Sequence, residues 1–127
     1  MELVAIVIGV ALLEYSYFGL LVGKARGQYG IDAPATSGDP IFERYHRVQQ
    51  NTLEQLILVI PGMVMFAYYV RADAAAALGA VYVIGRLIYL KSYVADPKKR
   101  SMGFALSWLP SVILVIGGLV GAVMKIM

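Results

Sequence analysis

An all-α fold, an integral membrane four-helix bundle, is what this sequence predicts, and three observations predict it. Hydrophobic residues make up 60% of the 127 and charged residues only 15%, against roughly 25% charged in an ordinary soluble domain. The apolar residues gather into four runs, each near the roughly 20 residues that a spanning helix needs. None of the runs alternates with the period of two expected of a membrane strand. The length allows a single domain, 1–127, with helices expected at about 3–23, 42–70, 74–95 and 101–125.

The first helix is interrupted only by Glu14 and by small or aromatic polar residues. Its one leading charge, Glu2, is acidic and no small-residue cleavage site follows, so it reads as a permanent helix and not a signal peptide. The connection over 24–41 holds Gly27, Gly30, Pro34, Gly38 and Pro40, turn formers that mark a loop. The second helix enters through a polar stretch at 42–51 and carries Pro61, which is expected to kink it. Arg71-Ala72-Asp73 is a minimal link and forces an antiparallel hairpin. The third helix contains Arg86, and the link after it runs Asp96-Pro97-Lys98-Lys99-Arg100. The fourth carries Trp108, Pro110 and a small-residue face of Gly117, Gly118 and Gly121, suited to close helix packing.

Four spans put the first and third connections on one side, with Lys24, Arg26, Arg44, Arg47, Lys98, Lys99 and Arg100; the other side has Arg71 and Lys125. The positive-inside rule places the first group in the cytoplasm and both termini opposite. The net charge of +3 is too mild and scattered for nucleic-acid binding. Without a cysteine, disulfides, thiolate metal sites and a cysteine nucleophile are excluded. His46 is the lone histidine, which makes no metal cluster.

Polar residues inside a membrane are costly, about 2.5–3.5 kcal/mol for a charge at the helix centre, and persist when they have partners or a task. At 100° per residue, Arg47, Asn51 and Glu54 share one face of the second helix within about 60°, and Tyr82, Arg86, Tyr89 and Tyr93 share one face of the third. Glu54 lies seven residues inside Arg47, and Arg86 seven residues inside Tyr93. These offsets of about 10 Å put opposite charges at matching depth, so Glu54 and Arg86 are expected to pair. Glu14 has three readings: a proton-coupled site, a partner for Arg86 in competition with Glu54, or a protonated group bonded to a tyrosine. The cytoplasmic end collects cations (Arg26, Arg47, Lys98, Lys99, Arg100), amides (Gln49, Asn51), hydroxyls (Tyr89, Tyr93) and Glu54. Such a lining suits a small polar ligand with more than one carboxylate and an amine, since arginines fork onto carboxylates.

The run Phe42-Glu43-Arg44-Tyr45-His46-Arg47-Val48-Gln49-Gln50-Asn51-Thr52-Leu53-Glu54 resembles the second-helix signature of the membrane-associated proteins in eicosanoid and glutathione metabolism, the MAPEG family. Gly85-Arg86-Leu87-Ile88-Tyr89, then Tyr93, Pro97 and Arg100-Ser101, resembles its third-helix signature, and Lys24-Ala25-Arg26 with Tyr29-Gly30 fits its first loop. The likeness is to the microsomal glutathione transferase type that includes leukotriene C4 synthase-like enzymes. It implies a homotrimer of four-helix subunits with glutathione, the co-substrate, held between neighbours. Arg26, Arg47, Gln49, Asn51, Glu54, Arg86, Tyr89 and Tyr93 would form the glutathione-binding set, and Arg100 would face the sulfur as the catalytic residue. No metal is implied. The second substrate would be a hydrophobic electrophile or a lipid hydroperoxide. Residue 55 departs from the leukotriene-type pattern, being Gln instead of Tyr.

Two other functions fit parts of the pattern. One is a lipid- or glutathione-binding scaffold of the same family without catalysis. The other is a small multidrug transporter using Glu14, which leaves the two polar stripes without a role.

Overall fold

A computed structural model describes residues 1–127. Helix α1 spans Glu2–Tyr29, α2 Pro40–Tyr69, α3 Ala72–Ala95 and α4 Ser101–Ile126, with one turn of 3₁₀ helix at Pro97–Lys99 and no strand. All four long helices are long and apolar enough to cross a membrane. Helix α2 packs on α4 and α3, α3 packs on α4, and α1 lies against α2 and α3.

The helix ends differ from the sequence expectation chiefly in α1, which continues past 23 to Tyr29. At 1.5 Å per residue its 28 residues reach about 42 Å, well beyond a hydrocarbon core of about 30 Å. Lys24 and Arg26 thus sit on an extra helical turn at the polar end, and the loop shrinks to the residues after it. Gly30, at φ 70°, stops the helix in the left-handed conformation that glycine adopts without a Cβ clash. Asp39 starts α2 by accepting from Ile41 N at 2.9 Å and Phe42 N at 3.0 Å, with Pro40 in the first turn, where its missing N–H costs nothing. Pro61 lies inside α2, which continues through it as one helix to Tyr69.

The hairpin between α2 and α3 is clamped by Arg71, whose Nε and Nη2 donate to Asp73 at 2.9 and 2.6 Å. The carboxylate holds the Arg71 guanidinium above its usual range. At the opposite end, Arg44 of α2 donates to Val94 O of α3 at 2.9 Å. That bond satisfies a carbonyl which the helix end would otherwise leave open.

The main apolar core joins Val4 and Ala11 of α1, Leu56, Val59 and Met63 of α2, Ala75, Ala76 and Tyr82 of α3, and Leu114 of α4. A smaller cluster of Phe18, Val48 and Tyr89 lies toward the polar end. Helices α3 and α4 approach closely at Gly103, where a Cβ would overlap the backbone of Tyr89. This contact sets Arg100, less than one turn before Gly103, beside the tyrosine face of α3.

Candidate functional site

One charged residue organises the interior. Arg86 is wholly buried, and its fork reaches two helices at once. Nε donates to Ser107 Oγ of α4 at 2.9 Å; Nη1 donates to Asn51 Oδ1 at 2.8 Å and Thr52 Oγ1 at 3.1 Å on α2. The hydroxyls are committed as acceptors because each spends its own hydrogen within its helix, Thr52 on Val48 O and Ser107 on Gly103 O. The guanidinium also lies 4.3 Å from the Tyr89 ring centroid, a cation–π distance.

This corrects the expected Glu54–Arg86 pair. Arg86 makes no salt bridge, and Glu54 is exposed on α2. Matching depth along two helices does not make their side chains face each other. The partners of Arg86 are neutral oxygens, two of which the sequence reading missed. A usable signal was Gly103, Ser107 and Ser111, spaced four apart, a stripe of small residues that admits a bulky neighbour at an interface.

Above Arg86, Arg47, Asn51, Tyr89, Tyr93, Arg100 and Phe104 line a cleft of about 350 Å³. Arg47 and Arg100 are exposed at its rim, whereas Asn51 and Tyr89 are buried at its floor. The Tyr89 and Tyr93 rings stack at 5.5 Å and 22°. Arg100 donates to Pro97 O at 3.1 Å, which holds its stem against the 3₁₀ turn. A second hollow of about 430 Å³ shares Arg47 and Tyr93 and extends past Glu43, Arg44 and His46 toward the first loop. Two guanidiniums, one amide and two phenols therefore meet in a single opening, without a carboxylate in its lining. That is an anion-binding surface with hydroxyl donors.

Not every expected residue enters the cleft. Arg26 donates to Ala35 O at 2.6 Å and lies 4.9 Å from the Phe42 ring centroid. Gln49 turns toward α1, its Nε2 close enough to meet a Cβ placed on Gly19 at 3.1 Å. Glu54 stands outside the lining, and Arg86 supports the floor from below without opening onto the cleft. Gln55 is buried and also lies outside. Phe104 is a lining residue that no polar motif marked.

The MAPEG family profile matches residues 4–120. Microsomal glutathione S-transferase 2 of Homo sapiens is 40% identical over 119 residues, 94% of this chain and 81% of that one. Leukotriene C4 synthase of Bos taurus is 34% identical over 98 residues, 77% of this chain and 65% of that one. An uncharacterized protein of Synechocystis sp. is 46% identical over 115 residues, 91% of this chain and 84% of that one. The chain belongs to the MAPEG family.

Proposed function

We propose that this protein is a multi-pass membrane glutathione transferase, able to act as a peroxidase, that holds glutathione in the cleft and keeps its sulfur as thiolate. The observation that carries the reading is the meeting of Arg47, Asn51, Tyr89, Tyr93 and Arg100 in one opening. Glutathione brings two carboxylates, one ammonium and one thiol. Arg47 and the hydroxyls suit its carboxylates, and Asn51 offers an amide at the floor. Relatives named as glutathione S-transferase and leukotriene C4 synthase support the same reading.

Arg100 is placed in the catalytic role. A free thiol of pKa about 8.5 is only a few per cent thiolate at neutral pH. Each unit of lowering takes about 1.4 kcal/mol of preference for the anion. A guanidinium about 4 Å away supplies roughly 4 kcal/mol at an effective dielectric of 20, before desolvation is subtracted. One to two units of lowering follow, on the order needed to make much of the thiol anionic. The thiolate then attacks an electrophilic carbon, or it takes the terminal oxygen of a hydroperoxide and releases the alcohol. The resulting sulfenic acid condenses with a second glutathione to disulfide and water.

The assembly we propose is a homotrimer. Glu54 and Arg47 are exposed on the same helix face, and an uncovered membrane charge is costly. A neighbouring copy would cover that face and would let Arg26, Gln49 and Glu54 complete a site begun on another subunit. The cationic end, with Lys24, Lys98 and Lys99, is placed in the cytoplasm, both termini opposite.

Calorimetry of the purified protein with glutathione, followed by chlorodinitrobenzene and cumene hydroperoxide assays, tests the function. Saturable glutathione binding with turnover on either substrate is expected. Binding without turnover would turn the reading to a scaffold. No binding, with drug resistance dependent on Glu14, would turn it to a transporter.

A further inference from the structure

All five buried side-chain polar atoms that lack a hydrogen-bond partner belong to four residues: Glu14 Oε1 and Oε2, Gln55 Oε1, Tyr82 Oη and Arg86 Nη2. Burying a polar group without a partner is costly, more so when it is charged, so these atoms call for partners. Donors and acceptors are both present. Arg86 Nη2 and Tyr82 Oη can donate, whereas the Glu14 and Gln55 oxygens accept. Tyr82 and Arg86 are one turn apart on α3, and α1 packs against that helix. Glu14 shares a groove with Val83 and Leu87, three residues before and one after Arg86 on α3, and the Arg86 guanidinium lies 6.0 Å from the Tyr82 ring centroid. Of the eight acidic residues, Glu14 alone is buried.

We propose that Glu14 is the hydrogen-bonding partner of Arg86, joined to it through internal water, and that it acts as a positioning residue for the floor of the cleft. The Arg86 fork is bonded on Nε and Nη1 and open on Nη2. An internal water with two to four polar partners fills such a site. A carboxylate beyond the water fixes the rotation of the guanidinium plane. That rotation decides where Asn51 Oδ1, and therefore its amide N–H₂, sits in the cleft, and how the Tyr89 ring lies. Lipid cannot supply this anchor, because the groove behind Glu14 is otherwise lined by Val10, Leu13, Tyr17, Val83 and Leu87.

The positioning role rests on the glutathione reading of the cleft, and the experiment separates the two. Glutathione calorimetry and steady-state kinetics are compared for the wild type, Glu14→Leu and Glu14→Gln in detergent. Arginine side-chain ¹⁵N NMR follows the Arg86 Nη2 signal, assigned by its loss in Arg86→Lys. Glu14→Leu is expected to raise Kd and KM for glutathione about tenfold, roughly 1.4 kcal/mol. Its kcat at saturation stays within about twofold, since Arg100 is untouched. Glu14→Gln keeps an acceptor oxygen and stays within about threefold of wild type in both constants. The Nη2 hydrogens exchange slowly in the wild type and fast in Glu14→Leu. Unchanged affinity in Glu14→Leu, a loss confined to kcat, equal losses in the Leu and Gln variants, or an unchanged Nη2 signal would each overturn the proposal. If Glu14→Leu does not fold, Tyr82→Phe, which removes only one hydroxyl from the cluster, carries the same test with an expected rise in Kd of about threefold. A wild type that binds no glutathione defeats the glutathione reading and the positioning role together. The NMR signal then decides by itself whether Glu14 is the partner of Arg86.

Discussion

Replacing Arg86 with lysine keeps the charge and removes the fork. In the structure the fork spans from Ser107 on α4 to Asn51 and Thr52 on α2. A lysine ammonium is a single point on a flexible stem and can reach one wall or the other. At least one charge-assisted hydrogen bond is lost, each worth about 1.5–3 kcal/mol. If the Asn51 side is abandoned, its carbonyl is left buried without the donor it had. The expected destabilisation is about 2–4 kcal/mol, about a 30- to 700-fold change in the unfolding equilibrium at 1.4 kcal/mol per tenfold. Titration of purified protein with dodecyl sulfate in mixed micelles, read by helical ellipticity and by Trp108 fluorescence, measures it. The exposed Lys98→Arg serves as the control and should not shift the midpoint. If Arg86→Lys unfolds within about 0.5 kcal/mol of wild type, the guanidinium neither ties α2 to α4 nor builds the cleft floor.

Arg100→Ala should raise the pH midpoint of kcat by one to two units, back toward the roughly 8.5 of a free thiol, because the lost cation favoured the anion. A pH–rate series with bound thiolate absorbance checks it, and an unmoved midpoint removes Arg100 from the mechanism. Gly103→Ala forces a methyl into the Tyr89 backbone; overpacking of about 1–3 kcal/mol should push α4 away and lower kcat/KM by more than stability alone explains at low temperature. Asp39→Ala removes the acceptor for Ile41 N and Phe42 N and should cost about 1 kcal/mol, seen as faster hydrogen exchange at those two amides while exchange at the α2 core is unchanged.

The four helices were legible because lipid imposes a simple demand: a long unbroken apolar run that satisfies its own backbone. Periodicity was enough to put Arg47 with Asn51 and Tyr89 with Tyr93, since residues four apart on one helix share a face regardless of what surrounds it. The sequence also held the turn chemistry that starts α2, Asp39 followed by Pro40. It misplaced the end of α1, because Gly27 and the charges near it read as loop, whereas a helix that has left the lipid tolerates them until Gly30 turns left-handed.

Relations between helices were decided only by packing. The partner of Arg86 depended on the rotation of α2 about its axis and on how near Gly103 lets α4 come. Depth arithmetic along each helix carries neither quantity. So Glu54 was matched to Arg86 by height and turned out exposed, while Asn51, together with Thr52 and Ser107, which nothing in the sequence had singled out, holds the buried cation. One-dimensional spacing fixes which side chains share a helix face. Which faces meet is set by the fit of side chains across three helices at once, and that fit exists only in the folded bundle.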